Sequence, residues 1–77
     1  MNEIVEKIID IVCSYQGMNK DGVNGNSNLI SDIGLSSFDV VSLTCQFEEK
    51  FGLEIPDRKI RTFQTIKDVA EFIYDNV

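Results

Sequence analysis

Three segments of this chain repeat their apolar residues every three or four positions, the spacing that places them along one side of a helix. These segments are residues 3–15, 37–51 and 66–77. Residues 57–62 have room for one or two further turns at most. The pattern predicts an all-α fold, a small bundle of three main helices plus one short helix. Because 77 residues enclose only one core, we expect a single domain over residues 1–77.

Polar residues mark where the second and third main helices begin. Ser36 and Thr65 each precede an apolar repeat, and Asp39 and Asp68 follow them three positions later. This spacing is a variant of the capping box, in which the side chain of the residue before the helix accepts a hydrogen bond from the backbone N–H three positions later. Gly52 ends the second helix, since glycine readily adopts the left-handed conformation found after helices.

The chain between the first two main helices is a long loop. Residues 16–36 are too rich in Gly and Asn to form a helix. We expect the Gly- and Asn-rich part to be the most mobile and four apolar residues near its end to pack against the core. These four are Leu29, Ile30, Ile33 and Leu35. Loops of this length in compact domains are commonly functional.

The charge balance limits the partners that this chain can bind. Seven Lys and Arg stand against thirteen Asp and Glu, and without His the formal net charge is −6. Nucleic-acid binding depends on cationic neutralisation of phosphate, so we expect protein partners with basic patches and no nucleic acid. No apolar run could span a bilayer, and the acidic start does not resemble a signal peptide. We therefore expect a cytoplasmic monomer that does not bind membranes.

Residue types also exclude the common catalytic and metal sites. The absence of His removes Ser–His and Cys–His pairs, so we expect no catalytic residue and no enzyme activity. Cys13 and Cys45 are too far apart for a zinc motif, and we expect both to be reduced thiols. A calcium loop starting at Asp21 fails, because Val23 and Asn26 stand where the motif needs an oxygen ligand and Gly. We therefore expect no metal site.

The second main helix carries apolar residues on both faces. On a helical wheel its inner face comprises Val40, Leu43, Thr44, Phe47 and Phe51. Its outer face comprises Phe38, Val41, Ser42, Cys45 and Glu49, with Asp39 and Glu48 at its flanks. An exposed apolar stripe rimmed by carboxylates is typical of a partner surface. The alternative is that residues 57–62 or the long loop fold back and cover the stripe.

Ser37 directly follows Ser36 and occupies the first position of the predicted second helix. Free backbone N–H groups at a helix start favour a phosphate attached to such a hydroxyl. No neighbouring residue can act as its base, so any chemistry at Ser37 requires another enzyme. On spacing alone, both serines could simply be capping residues.

Two runs of residues resemble the acyl carrier proteins. They are DIGLSSFDVVSL at residues 32–43 and FEEKFGLEIP at residues 47–56. The family pattern reads D-x-G-x-D-S-L-D-x-V-x-L and then L-E-E-x-F-x-x-E-I-P. The first helix and the closing segment also match, so the resemblance spans nearly the whole chain. A peptidyl carrier would usually show Gly-Gly-x-Ser before this helix, and this chain does not.

The resemblance implies a covalent cofactor on Ser37, the serine that precedes the pair Phe38-Asp39. A phosphopantetheinyl transferase would transfer 4′-phosphopantetheine from coenzyme A to it, and the thiol of the arm would carry acyl groups as thioesters in fatty-acid or polyketide-type biosynthesis. Partners would be acyl transferases, ketosynthases and related synthase enzymes with basic docking patches. Sequestered acyl chains would lie beside Leu43 and Phe47. The implied partner-binding residues are Ser36, Phe38, Asp39, Val41, Ser42, Cys45, Glu48 and Glu49.

Two positions depart from the family pattern. Ser36 and Ser42 stand where the family often has acids, so the outer face is less negative and favours a dedicated set of partners. The alternative function is an unmodified adaptor with the carrier fold, which would bind its partner through the same face. An intact Ser37 within its motif favours the carrier, since an adaptor does not need it.

Overall fold

The computed structural model describes residues 2–77 and contains four helices within that range. They are α1 (Asn2–Gln16), α2 (Ser37–Phe51), α3 (Asp57–Ile60) and α4 (Ile66–Asn76). The predicted all-α fold is confirmed, although the short helix ends at Ile60 and the chain continues as a turn. Met1, the first residue of the predicted single domain, lies outside the described residues. Within residues 2–77, no helix combines the length and the hydropathy needed to cross a membrane.

The helices enclose one hydrophobic core. α1 packs against both α2 and α4, and α2 also contacts α3. Each main helix contributes side chains that are almost completely buried, namely Ile8 and Val12 from α1, Leu43 from α2, and Ile66 and Ile73 from α4. The apolar repeats seen in the sequence are therefore the faces that meet in this core.

The inner face of α2 agrees with the helical wheel except at its end. Val40, Leu43, Thr44 and Phe47 are buried, whereas Phe51 is half-buried. The Thr44 hydroxyl donates a hydrogen bond of 2.6 Å to the Val41 carbonyl, so this buried polar group is satisfied within the helix. Phe51 is more exposed because Gly52 ends the helix there with a left-handed φ of 68°.

Both predicted capping boxes are present. At α2, Ser36 Oγ accepts the Asp39 N–H at 3.1 Å and Asp39 Oδ2 accepts the Ser36 N–H at 2.9 Å. At α4, Thr65 Oγ1 accepts the Asp68 N–H at 3.2 Å and Asp68 Oδ2 accepts the Thr65 N–H at 3.0 Å. The two helix starts are fixed by local bonds that the sequence spacing alone predicts.

The long loop is anchored to the core by three of the four residues expected to do so. Leu29, Ile33 and Leu35 are buried, but Ile30 is 48% exposed and its predicted burial is wrong. The Asn28 side-chain oxygen accepts the backbone N–H groups of Ile30 and Ser31, which forms a tight turn. Leu29 points inward at this turn and Ile30 points outward.

Backbone bonds join the loop to the start of α4. The Leu29 N–H donates to the Gln64 carbonyl at 2.8 Å, and the Lys67 N–H donates to the Gly25 carbonyl at 2.8 Å. The Ile66 N–H also donates to the Ser27 carbonyl at 3.2 Å. These bonds hold the loop beside the start of α4, and the chain then continues from the loop into α2. Greater mobility of the Gly- and Asn-rich part stays a prediction.

Candidate functional site

Ser37 is the first residue of α2 and its side chain is exposed. The residues before it are held from inside the molecule, since Leu35 is buried and its N–H donates to the Leu29 carbonyl at 3.0 Å. Gly34 turns the chain toward the helix with a left-handed φ of 86°. The hydroxyl of Ser37 is therefore presented to solvent on a fixed backbone at a helix start.

The structure separates the roles of the two adjacent serines. Ser36 Oγ accepts the Asp39 N–H, so its hydroxyl is part of the capping box. Ser37 lies one residue further on and takes no part in the capping box, which joins Ser36 and Asp39. Modification of Ser36 would disturb the cap, whereas modification of Ser37 would not. The geometry thus favours Ser37 as the attachment residue, which stays a prediction.

A cleft of about 470 Å³ opens beside Ser37. Its walls come from the loop, from α2 and from the chain around α3, with Ile30, Val41 and Ile60 among the lining residues. Apart from Ser37, Arg61 is the polar side chain that lines it. The exposed Ile30 therefore borders the candidate site.

The outer face of α2 is open along its first half. Phe38 is 76% exposed and Val41 is 49% exposed. Cys45 and Glu49 are also exposed, while Ser42 is half-buried. Because Phe38 and Val41 stay exposed, the alternative in which residues 57–62 or the long loop cover the stripe is wrong. We call Phe38, Val41, Ser42, Cys45 and Glu49 the outer stripe.

The two acids that flank the outer stripe are engaged inside the molecule. Glu48 is half-buried and its Oε2 accepts the Ile55 N–H at 2.7 Å, which ties the Glu-Ile-Pro linker to the end of α2. Asp39 is held by the capping box and by Tyr15. A helical wheel does not show the Glu48 and Tyr15 bonds, because they join α2 to the linker and to α1. The partner-binding roles of both acids stay predictions.

Tyr15 is the site residue that the sequence does not indicate. Its hydroxyl donates a hydrogen bond of 2.8 Å to Asp39 Oδ1 across a separation of 24 residues. The Ser36 backbone N–H and then the Tyr15 hydroxyl hold the pKa of Asp39 below its ordinary value, because both donate to the ionised carboxylate. The same bond to Asp39 raises the pKa of Tyr15. On the wheel of α1, Tyr15 falls with the buried residues, but it is half-exposed and reaches α2.

A comparison with known protein families identifies this arrangement. The family model described as a phosphopantetheine attachment site matches residues 6–73, from the first turns of α1 to the last turn of α4. The chain belongs to this family. The resemblance to acyl carrier proteins is therefore confirmed, and with it the covalent 4′-phosphopantetheine cofactor. Carrier domains of this kind are generally not catalytic.

The residues around Ser37 fit a tethered 4′-phosphopantetheine. The hydroxyl is exposed at the start of α2, where backbone N–H groups favour the phosphate of a phosphodiester. The cleft beside it provides apolar surface at Val41 and Ile60 and a cation at Arg61. When attached, the arm supplies a thiol that forms thioesters. The chain itself supplies the hydroxyl, the helix start and the surface next to them.

Proposed function

We propose that this carrier holds acyl intermediates as thioesters on 4′-phosphopantetheine attached to Ser37, for fatty-acid or polyketide-type biosynthesis. One observation carries the assignment to this residue. Ser37 is exposed at the first position of α2 while the neighbouring Ser36 hydroxyl is used by the capping box. Together with the family match over residues 6–73, this makes Ser37 the hydroxyl best placed for attachment.

The chain does not provide the base that the attachment reaction needs. The nearest carboxylate along the helix belongs to Asp39, and its two oxygens accept hydrogen bonds from Ser36 and Tyr15. These bonds favour the ionised carboxylate but orient it toward the cap and α1. In the proposed reaction the transferase therefore removes the Ser37 proton while the serine oxygen forms its bond to the phosphorus next to pantetheine. The pyrophosphate P–O bond of coenzyme A breaks at that phosphorus, and adenosine 3′,5′-bisphosphate leaves. The carrier acts as the substrate and not as an enzyme.

The outer stripe supports the proposed docking of partner enzymes. Phe38 and Val41 present apolar surface directly beside Ser37, and Glu49 adds an exposed carboxylate further along α2. A net charge of −6 would draw in transferases, ketosynthases and related enzymes with basic patches. We propose that the carrier acts as a cytoplasmic monomer and presents this one face to each partner in turn.

The same exposed residues support one alternative. An unmodified adaptor would use Phe38 and Val41 to hold a single partner and would leave Ser37 unchanged. The two functions differ in whether a phosphopantetheinyl transferase modifies the protein, so covalent loading separates them.

Intact mass spectrometry tests the proposal. The protein is incubated with coenzyme A, Mg²⁺ and a phosphopantetheinyl transferase of broad specificity, next to Ser37→Ala and Ser36→Asp. Aspartate keeps a capping acceptor at position 36 and removes the hydroxyl, so this control keeps the start of α2 intact. We expect a gain of one phosphopantetheine in the wild type and in Ser36→Asp, and none in Ser37→Ala. Loss in Ser36→Asp alone would move the site to Ser36. No gain in the folded wild type with several transferases would favour the adaptor.

A further inference from the structure

The last turn of α1 makes side-chain bonds to both ends of the segment that carries Ser37. Tyr15 donates to Asp39 Oδ1 at 2.8 Å, two residues after Ser37. Gln16 Nε2 donates to the Ile33 carbonyl at 3.2 Å, four residues before it. Ser37 therefore lies between two points at which α1 holds the chain. We call Tyr15 and Gln16 the α1 brace.

The Tyr15 bond reaches the backbone next to Ser37 through a single carboxylate. Asp39 Oδ1 accepts the Tyr15 hydroxyl, and Asp39 Oδ2 accepts the Ser36 N–H at 2.9 Å. The carboxylate thus links α1 to the residue that immediately precedes Ser37. Because it is ionised and accepts from both sides, these hydrogen bonds are charge-assisted and stronger than neutral ones.

Gln16 of the α1 brace contacts the segment before Ser37. Residues 33–36 lie outside the helix, and although Ile33 and Leu35 are buried, the left-handed Gly34 between them has no side chain to pack. A Cβ atom at Gly34 would lie 3.6 Å from Gln16 Nε2, which shows how closely the brace approaches the turn. The exposed Ser37 side chain takes its position from this backbone.

We propose that Tyr15 is a positioning residue for the covalent loading of Ser37, acting through Asp39 and Ser36. The inference rests on the proposed function, since it assumes that Ser37 is the loaded residue. Phosphoryl transfer requires the attacking oxygen to stand in line with phosphorus at a short distance, and small misplacements lower the rate strongly. Tyr15 does not contact the reacting atoms in this role. It keeps the first turn of α2 aligned with the rest of the bundle.

The loading kinetics of Tyr15→Phe test this role, because the substitution removes only the hydroxyl. Tyr74→Phe is the matched control, since Tyr74 is exposed on α4. Ile73→Val, which removes a methylene from a fully buried side chain of α4, controls for a modest loss of stability. We expect Tyr15→Phe to lower kcat about fivefold, the order of magnitude of one hydrogen bond, and to change KM less than about twofold. Both controls should load like the wild type.

Amide hydrogen exchange of the unloaded protein gives a second readout. In Tyr15→Phe we expect the Ser36 amide to exchange about fivefold faster, because the carboxylate that accepts its proton is no longer held by α1. The corresponding Thr65 amide, which donates to Asp68 in the other capping box, should not change.

Each of the other results would overturn the inference. Wild-type loading kinetics and unchanged exchange in Tyr15→Phe would show that the bond has no positioning role. A rise in KM alone would show that Tyr15 contacts the transferase directly. An equal loss of kcat in Ile73→Val would assign the effect to stability. If the wild type takes up no phosphopantetheine at all, both the proposed function and the positioning role of Tyr15 fail. This holds even if the Ser36 amide exchanges faster in Tyr15→Phe.

Discussion

Truncation of Phe47 measures how much of the stability of this carrier depends on the inner face of α2. Phe47 is 3% exposed and lines a small internal cavity of about 10 Å³ together with Val12, Leu29 and other core residues. Phe47→Ala enlarges this cavity, and buried Phe→Ala substitutions cost about 3–5 kcal/mol. A 77-residue domain at about 0.05–0.15 kcal/mol per residue has a total stability of roughly 4–12 kcal/mol. The substitution therefore removes about a quarter of it or more.

Phe51 provides the matched control on the same helix. Both residues belong to the face that the sequence predicts to be buried, but Phe51 is half-buried. Burying a Phe side chain fully contributes about 1.5–3 kcal/mol and a partly exposed one contributes less, so about 1–2 kcal/mol is expected for Phe51→Ala. Guanidinium unfolding followed by circular dichroism at the helical band measures both values, with the denaturant slope as the check that the transition stays cooperative.

Two results would refute the reasoning about the inner face. A loss below about 2 kcal/mol for Phe47→Ala would mean that the core collapses around the deleted ring and that packing there is not specific. Equal losses for Phe47→Ala and Phe51→Ala would mean that the burial difference between the two sites does not set their contributions. Either result would also weaken the view that α2 is fixed by this face while its other face stays open.

Two further predictions concern the acids of α2. Glu48→Ala should cost about 1–3 kcal/mol in the same unfolding assay, because it leaves the partly buried Ile55 N–H without its acceptor. Glu49→Ala on the exposed face should change the stability by no more than about 0.5 kcal/mol. Similar losses in both variants would refute the role of Glu48 in holding the linker. Asp39 has a folded-state pKa below its ordinary value, so its ionised form stabilises the fold at neutral pH, and that contribution is lost as pH falls through the lowered pKa. The difference in melting temperature between wild type and Asp39→Asn should therefore be largest near about pH 7 and shrink toward about pH 2, and a constant difference would refute the linkage.

The features that the sequence predicts correctly are those whose causes are local. Helical periodicity and the two capping boxes depend on residues three or four positions apart, so the start of α2 at Ser37 and of α4 at Ile66 follow from spacing. The same holds for Gly52, whose left-handed conformation ends α2. The family pattern around Ser37 also consists of neighbouring residues, so the sequence alone indicates it.

The features that the sequence does not predict depend on loop turns and on contacts that leave a single helix. The sequence predicts Ile30 in the core, but the Asn28 turn directs it outward. The helical wheel puts Glu48 at the edge of the outer stripe, but its carboxylate accepts the Ile55 N–H of the linker. The Tyr15 bond joins residues 24 positions apart and has no periodic signature. Each depends on a turn or on a contact with another element, which the helical wheel of a single segment does not contain.

The internal hydrogen bonds of Asp39 and Glu48 limit how a partner could pair with the acids of α2. A partner arginine that pairs directly with Asp39 or Glu48 has to compete with hydrogen bonds that already exist inside the carrier. Glu49 remains exposed, and Phe38 and Val41 offer the apolar surface closest to Ser37. Under the proposed function, long-range charge would steer partners toward this face, and burial of Phe38 and Val41 would contribute most of the affinity. Under the proposed function, the two faces of α2 therefore have separate tasks, since the inner one holds the fold and the outer one is free for docking.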